Sequence, residues 1–292
     1  MNIRKPAVAG QFYPQQNAQC IDQITELLEH THIPEDIPQN ITAAIVPHAG
    51  WDFSGLLAAT VFDAIKTQNK KVHTFILFGA CHSYIGDKPA VYNTGQWQTP
   101  MGQIAVDEDI AAQFVSGGSG AQANPEAHRP EHSIEVQIPF IQQLFPGSKI
   151  VPILAPVAVS SMQLGTSAAD IALANPDKQI VFIASTDLTH YGPGYGFIPK
   201  GTGPDGLKWA HQVNDQQIID LALTMQADKI IPNATENQNA CGPGAITAAI
   251  AAAKKLGIQK GALLAHTNSN LKMFELTGQK SPDSVGYTAI VY

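Results

Sequence analysis

The chain has 292 residues, 44% of them hydrophobic and only 14% charged, which excludes a disordered polar chain and suits a sizeable buried core. A net charge of −7 with no Lys/Arg block argues against a reader of nucleic-acid backbones. Three cysteines, Cys20, Cys81 and Cys241, make a poor disulfide framework and fit a reducing compartment.

In chain order, residues 8–13 read as an irregular or edge element stopped by Pro14. From Cys20 onward, Ile21, Ile24, Leu27 and Leu28 share one helical face. The proline-spaced stretch 32–40 is a turn or linker, and residues 41–46 form a strand. A helix from Phe53 turns Leu56, Ala59, Phe62 and Ile65 inward. Residues 72–78 are the next strand, followed by the loop GACHSYIGDKP, short segments around VYNTG and Trp97, a strand near 103–106 and a helix over 107–115. Ser133 is expected to cap a helix whose inner face carries Val136, Phe140 and Leu144, made imperfect by Pro139. KIVPILAPV is a strand, 162–173 a helix, and IVFIAS from Ile180 a further strand. The glycine-rich HYGPGYGFIPKGTGPDG resembles a lid beside a strand end, ahead of a helix over 207–221. CGPGAITAAIAAAKKLG is a helix closed by Gly257, and residues 262–266 and 286–291 are the last strands. With no break in composition, this predicts one α/β domain over residues 1–292, a central, mostly parallel sheet flanked by helices. No apolar run suits a membrane span and the opening MNIRKPAVAGQFYP lacks an apolar signal core, so a cytoplasmic chain is expected.

Three apolar runs close on a histidine: ITAAIVPH at His48, TFILFGACH at His82 and IVFIASTDLTH at His190. Carboxyl ends of parallel strands face one crevice, and neutral imidazole serves there as a metal ligand or a proton carrier. Cys241, in NACGPG at a helix start, is expected to favour the thiolate, as a soft ligand or nucleophile; the plainer reading is a small residue filling a tight turn. Asp187, in STDLTH, either orients an imidazole or caps the turn after its strand. In EHSIE, Glu131 is placed to accept a proton and His132 to hold an anionic substrate oxygen. The alternative is a capped helix start with His132 and Glu135 in solvent. Trp51, Tyr84, Tyr191 and Tyr195 are candidate cleft walls. No GxSxG elbow occurs, and GPGYG lacks the strand–turn–helix context of a dinucleotide site.

The segments AVAGQFYP, PHAGWDFSG, FGACHS, EHSIEVQIPF, ASTDLTHYG, ACGPGA and DSVGYTAIVY run in this order through nearly the whole chain. On them the sequence resembles the Memo family. The resemblance implies an α/β fold like that of class III extradiol dioxygenase catalytic subunits, and metal ligands at His48, His82 and Cys241. It places His190, His132 and Asp187 in the same pocket. It implies iron(II) (Fe2+), with copper (Cu+/Cu2+) as the alternative, and in microbial members an AMMECR-type domain protein and a radical SAM protein as partners. Two departures stand out. Ser83 follows His82 where members often carry a second histidine, and Cys241 stands where related dioxygenases have a carboxylate. A thiolate makes the site electron-rich and argues for redox chemistry over simple dioxygenase chemistry. The expected function is therefore metal-dependent redox or oxygen-activating chemistry on a small molecule, with His190 shuttling protons, His132 orienting substrate and Asp187 tuning an imidazole. A non-catalytic peptide- or partner-binding protein with a vestigial pocket, and an iron/copper-binding protein without turnover, are the alternatives.

Overall fold

Strands that are apolar at every position, rather than at alternate ones, need cover on both faces, and the central strands here are of that kind. The computed structural model describes residues 2–292. Its strands are β1 (Ile3–Arg4), β2 (Ala43–Val46), β3 (Thr74–Gly79), β4 (Ala90–Val91), β5 (Gln96–Thr99), β6 (Gly102–Ala105), β7 (Gln122–Ala123), β8 (Lys149–Leu154), β9 (Ile180–Ser185), β10 (His190–Tyr191), β11 (Ala262–Asn268) and β12 (Ser284–Val291). The helices are α1 (Asn17–Glu29), α2 (Trp51–Gln68), α3 (Glu108–Ser116), α4 (Ile138–Leu144), α5 (Ser160–Ala174), α6 (Pro204–Trp209), α7 (Asp215–Leu223), α8 (Ala227–Asn237), α9 (Pro243–Lys255) and α10 (Ser269–Thr277).

The main sheet runs β10-β12-β2-β9-β3-β8-β4-β7, with β11 also paired to β12. Its centre, β2, β9, β3 and β8, is parallel; β12 joins β2, and β4 joins β8, antiparallel. A mostly parallel α/β sheet is thus the architecture, as the sequence implies. Every residue of β2, β3 and β9 is buried. Phe75 of β3 meets Phe62 of α2, so α2, with α1 and α4 against it, covers that face. Helix α9, backed by α5 and α8, lies against β9, β2 and β3. Gly165 lets α5 and α9 touch, since a Cβ there would stand 2.2 Å from the Ala248 carbonyl oxygen. In the sheet register Val46 pairs with Ser185, and Ala184 pairs with both Ile45 and Phe78, so the carboxyl ends of β2, β9 and β3 are level.

Some expectations need correcting. The helix expected over 207–221 is broken into α6, a π-helical turn at Ala210–Asn214, and α7. The wider turn brings buried Asn214 and Asp215 to the segment around Thr189, whose hydroxyl and N–H they bind at 3.1 and 3.0 Å. Ser133 caps no helix: its hydroxyl bonds the Ala80 carbonyl, and a 3-10 turn at Glu135–Gln137 leads into α4. Pro139 falls in the first turn of α4, where its missing N–H is harmless. Helices α8 and α10 went unforeseen. In α8 an internal Pro232 masks a stripe of Ala227, Ile230 and Ala234, and α10 buries no residue fully.

Candidate metal centre

The level strand ends release three loops side by side. His48 follows β2, His82 follows β3, and Thr186 and Asp187 follow β9. The loop ahead of α9 is tied to the last of these: Cys241 N–H donates to the Asp187 carbonyl at 3.1 Å, and Gly242 N–H to Thr186 Oγ1 at 2.9 Å. Asp187 Oδ1 accepts the His48 backbone N–H at 2.7 Å, joining the first loop to the third. One donor atom each from His48, His82 and Cys241 consequently lies within 4.8 Å of the others.

Hydrogen bonds set which nitrogen of each ring is free. The Ser185 hydroxyl has a single proton, and it is committed to the Ser133 carbonyl at 2.6 Å. Ser185 Oγ must then accept from His48 Nδ1, 3.1 Å away, so Nδ1 carries the proton and Nε2 keeps its lone pair. Likewise His82 Nδ1 donates to the Glu131 carboxylate at 2.9 Å, so in the neutral ring the lone pair is on Nε2. Glu131, 1% exposed, also accepts the backbone N–H groups of His82 and Ser133 at 2.9 and 2.8 Å. Carboxylates that orient metal-binding imidazoles in this way are a recurrent feature of metal sites. The Cys241 thiol sits 3.2 Å from His48 Nε2 and donates to it, while Sγ accepts from Asp187 N–H at 3.2 Å.

The donor set fits a metal ion. Two imidazole nitrogens and a thiolate around one tetrahedral centre stand about 3.3–3.6 Å apart, close to the His48–Cys241 spacing, so small side-chain rotations suffice. Without an ion the thiol stays protonated. Burial, with the Asp187 charge beside it, pushes the Cys241 thiol well above its usual range, contrary to the thiolate expected at a helix start. Cys241 lies ahead of α9 rather than within its first turn. Burial first, and then His82, lower the His48 imidazole to about 3. Burial opposes charge on His82 as well, yet the Glu131 hydrogen bond and charge hold it above the usual value. Glu131 in turn is kept well below the carboxylate range by His82, against the effect of its own burial.

A cavity of about 510 Å³ opens over these groups, lined by His48, His82, His132, Asp187 and His190 together with residues of α10 and β12. The His132 ring stacks on His82 at 4.6 Å and meets the edge of Phe12 at 4.8 Å. Burial, and then His48 and His82, lower His132 to about 4, so it is a neutral donor and acceptor rather than a cation. His190 does not sit at the tip of β9; it opens β10, pairs with Val285 and packs on Tyr195 at 5.1 Å. Its Nε2 is buried without a hydrogen-bond partner. Asp187 orients His48 through the backbone and stays 4.0 Å from its Nε2; burial raises its carboxyl above the ordinary value.

Five of the six candidate residues therefore line one cavity, and the sixth, Cys241, touches it through His48. The solvent-facing alternative for Glu135 does not hold. Its carboxylate is buried, pairs with Arg4, and accepts Ala7 N–H, Val8 N–H and the Tyr13 hydroxyl at 2.7, 3.0 and 2.9 Å. Arg4 also donates to the Glu131 carbonyl at 2.6 Å, so the amino-terminal segment braces the loop that holds Glu131 and His132. The sequence reading did not single out Ser185, whose only signal was its place as the last residue of a strand, nor the α10 rim with Ser269 and Met273.

No described helix is long and apolar enough to cross a membrane. The sequence model of the Memo-like protein family matches residues 4–291. A MEMO1 family protein of Pyrococcus horikoshii is 36% identical, over 99% of this chain and 98% of its own length. One from Thermococcus onnurineus is 35% identical over 99% of each chain, and one from Methanosarcina barkeri 34% over 99% of each. With that coverage added to the shared motifs, the chain belongs to the Memo family.

Proposed function

We propose that this Memo-family chain is a metal-dependent redox or oxygen-activating protein acting on a small molecule in the cytoplasm, with His48, His82 and Cys241 holding iron(II), or copper in its place. The observation that carries this reading is a pair of Nε2 atoms, set by hydrogen bonds at Nδ1, converging with the part-buried Cys241 thiol beside a cavity of about 510 Å³. Bound there, iron or copper supplies single-electron exchange and Lewis acidity. His132, neutral at physiological pH, offers substrate one N–H and one lone pair. His190, whose Nε2 has no partner, takes up and returns a proton at that atom. Asp187 keeps His48 in position through its backbone N–H. Phe12, Phe53 and Met273 give the cavity apolar walls, which suits a substrate with an apolar part.

The test is metal content of untagged protein purified without oxygen, beside His48→Ala/His82→Ala/Cys241→Ser. Iron or copper with thiolate-to-metal charge-transfer absorption, lost in the variant, is the expected result and leads to an oxygen-consumption screen. Unchanged iron and copper content in the variant overturns the reading. Protein that stays metal-free after anaerobic iron(II) or copper(I) titration turns the pocket over to peptide or partner binding. The AMMECR-type domain and radical SAM proteins are the proposed partners to test by pulldown.

A further inference from the structure

A second group of metal-ligating side chains shares no residue with the lining of the pocket. His211 belongs to the π-helical turn at Ala210–Asn214, Asp215 begins α7, and His266 comes from β11. One donor atom from each lies within 4.8 Å of the others. Asp215 Oδ2 is 3.1 Å from His266 Nε2 and 4.0 Å from His211 Nδ1, and the two rings lie 4.1 Å apart. Three ligands around a small tetrahedral ion stand about 3.3 Å from one another, so the observed spacings bracket what an ion needs.

We propose that His211, Asp215 and His266 form a second metal site, taking a borderline divalent ion such as zinc(II) through two imidazole nitrogens and one carboxylate oxygen. Three features distinguish this group from a simple hydrogen-bonded strut. A strut needs only the His266–Asp215 bond, whereas His211 Nδ1 is buried beside the same carboxylate without any hydrogen-bond partner. The carboxylate is itself oriented: Oδ1 accepts the Thr189 N–H at 3.0 Å, which turns Oδ2 toward both rings. Strand β12 passes so close that a Cβ on Gly286 would lie 2.2 Å from Oδ2, so the site depends on a glycine in the strand that covers it. The π-turn is a local device of the kind that re-aims side chains at functional sites, and it puts His211 four residues before Asp215 on one face. With side chains 25% and 13% exposed, His211 and His266 leave room for water as a further ligand. Binding through His266 Nε2 needs the lone pair of that nitrogen, so the ring proton facing Asp215 shifts to Nδ1.

The test titrates the metal-free full-length chain with cobalt(II) as a spectroscopic stand-in, then zinc(II) in competition. The wild type is expected to bind one equivalent with thiolate-to-cobalt charge-transfer absorption and a second without it. Cys241→Ser should lose the first and keep the second. His211→Gln breaks no hydrogen bond in the fold, so it should melt like the wild type. It should keep the thiolate band and weaken the second equivalent at least about tenfold, with His211→Gln/His266→Gln losing it. A Cys241→Ser chain that binds no metal, or a double variant that still binds the second equivalent with wild-type affinity, overturns the proposal. Because the two equivalents differ in their absorption, this result stands or falls separately from the pocket site.

Discussion

Replacing Glu131 with Gln probes whether the pocket imidazoles are held ready for a metal. The Glu131 carboxylate accepts three N–H groups, His82 Nδ1, His82 N and Ser133 N, at 2.8–2.9 Å. A glutamine amide keeps one acceptor oxygen and turns an NH2 toward the remaining donors. With that NH2 facing His82 Nδ1, the imidazole moves its proton to Nε2, and the ligand lone pair is lost. Turned the other way, the amide leaves the His82 backbone N–H facing a donor, which displaces the loop. Loss of such an orienting carboxylate costs about 10–100-fold in metal affinity, or about 1.4–2.7 kcal/mol. The assay is an anaerobic competition titration of iron(II) or copper(I) against a chromophoric chelator, with a melting curve to confirm that the variant folds. A folded Glu131→Gln chain with wild-type affinity would refute the reasoning.

Two further outcomes follow from buried ionisable groups elsewhere. Arg4→Met leaves the Glu135 carboxylate buried without its cation, and should cost about 3–5 kcal/mol in a denaturant titration. A loss below about 1 kcal/mol would show that the pair does not brace the EHSIE loop. Acidification should weaken the fold through His128, which is fully buried, donates from Nε2 to the Ala90 carbonyl and is lowered to about 3, chiefly by burial. The unfolded chain takes up this proton near pH 6.5 and the folded chain does not. Stability is therefore complete above about pH 6.5 and falls by about 1.4 kcal/mol per pH unit on the way down to about 3. His128→Phe should flatten that slope by one proton; an unchanged slope would mean the histidine is not held neutral.

Much of the fold was legible along the chain because each central strand is an unbroken apolar run, and burial on both faces leaves that local mark. The same runs advertised His48 and His82, since a polar residue just past a buried strand belongs to the crevice. Cys241 came by motif, from a part of the chain remote from both, and only the hydrogen bonds between its loop and residues 186–187 carry it to within 3.2 Å of His48. Tautomers could not be read at all in sequence, because they depend on where Ser185 spends its one proton and on which ring Glu131 faces. The metal-free state of the thiol is likewise not a local property: a helix start favours thiolate, while burial, which belongs to the assembled molecule, raises the thiol. Helix α10, the π-turn and the His211–Asp215–His266 group left no periodic signature either. Local pattern thus determined the strands, most helices and the residues at their ends. Which donor atoms meet, and in which protonation state, was decided by contacts between segments more than a hundred residues apart, such as His48 with Ser185 and with Cys241.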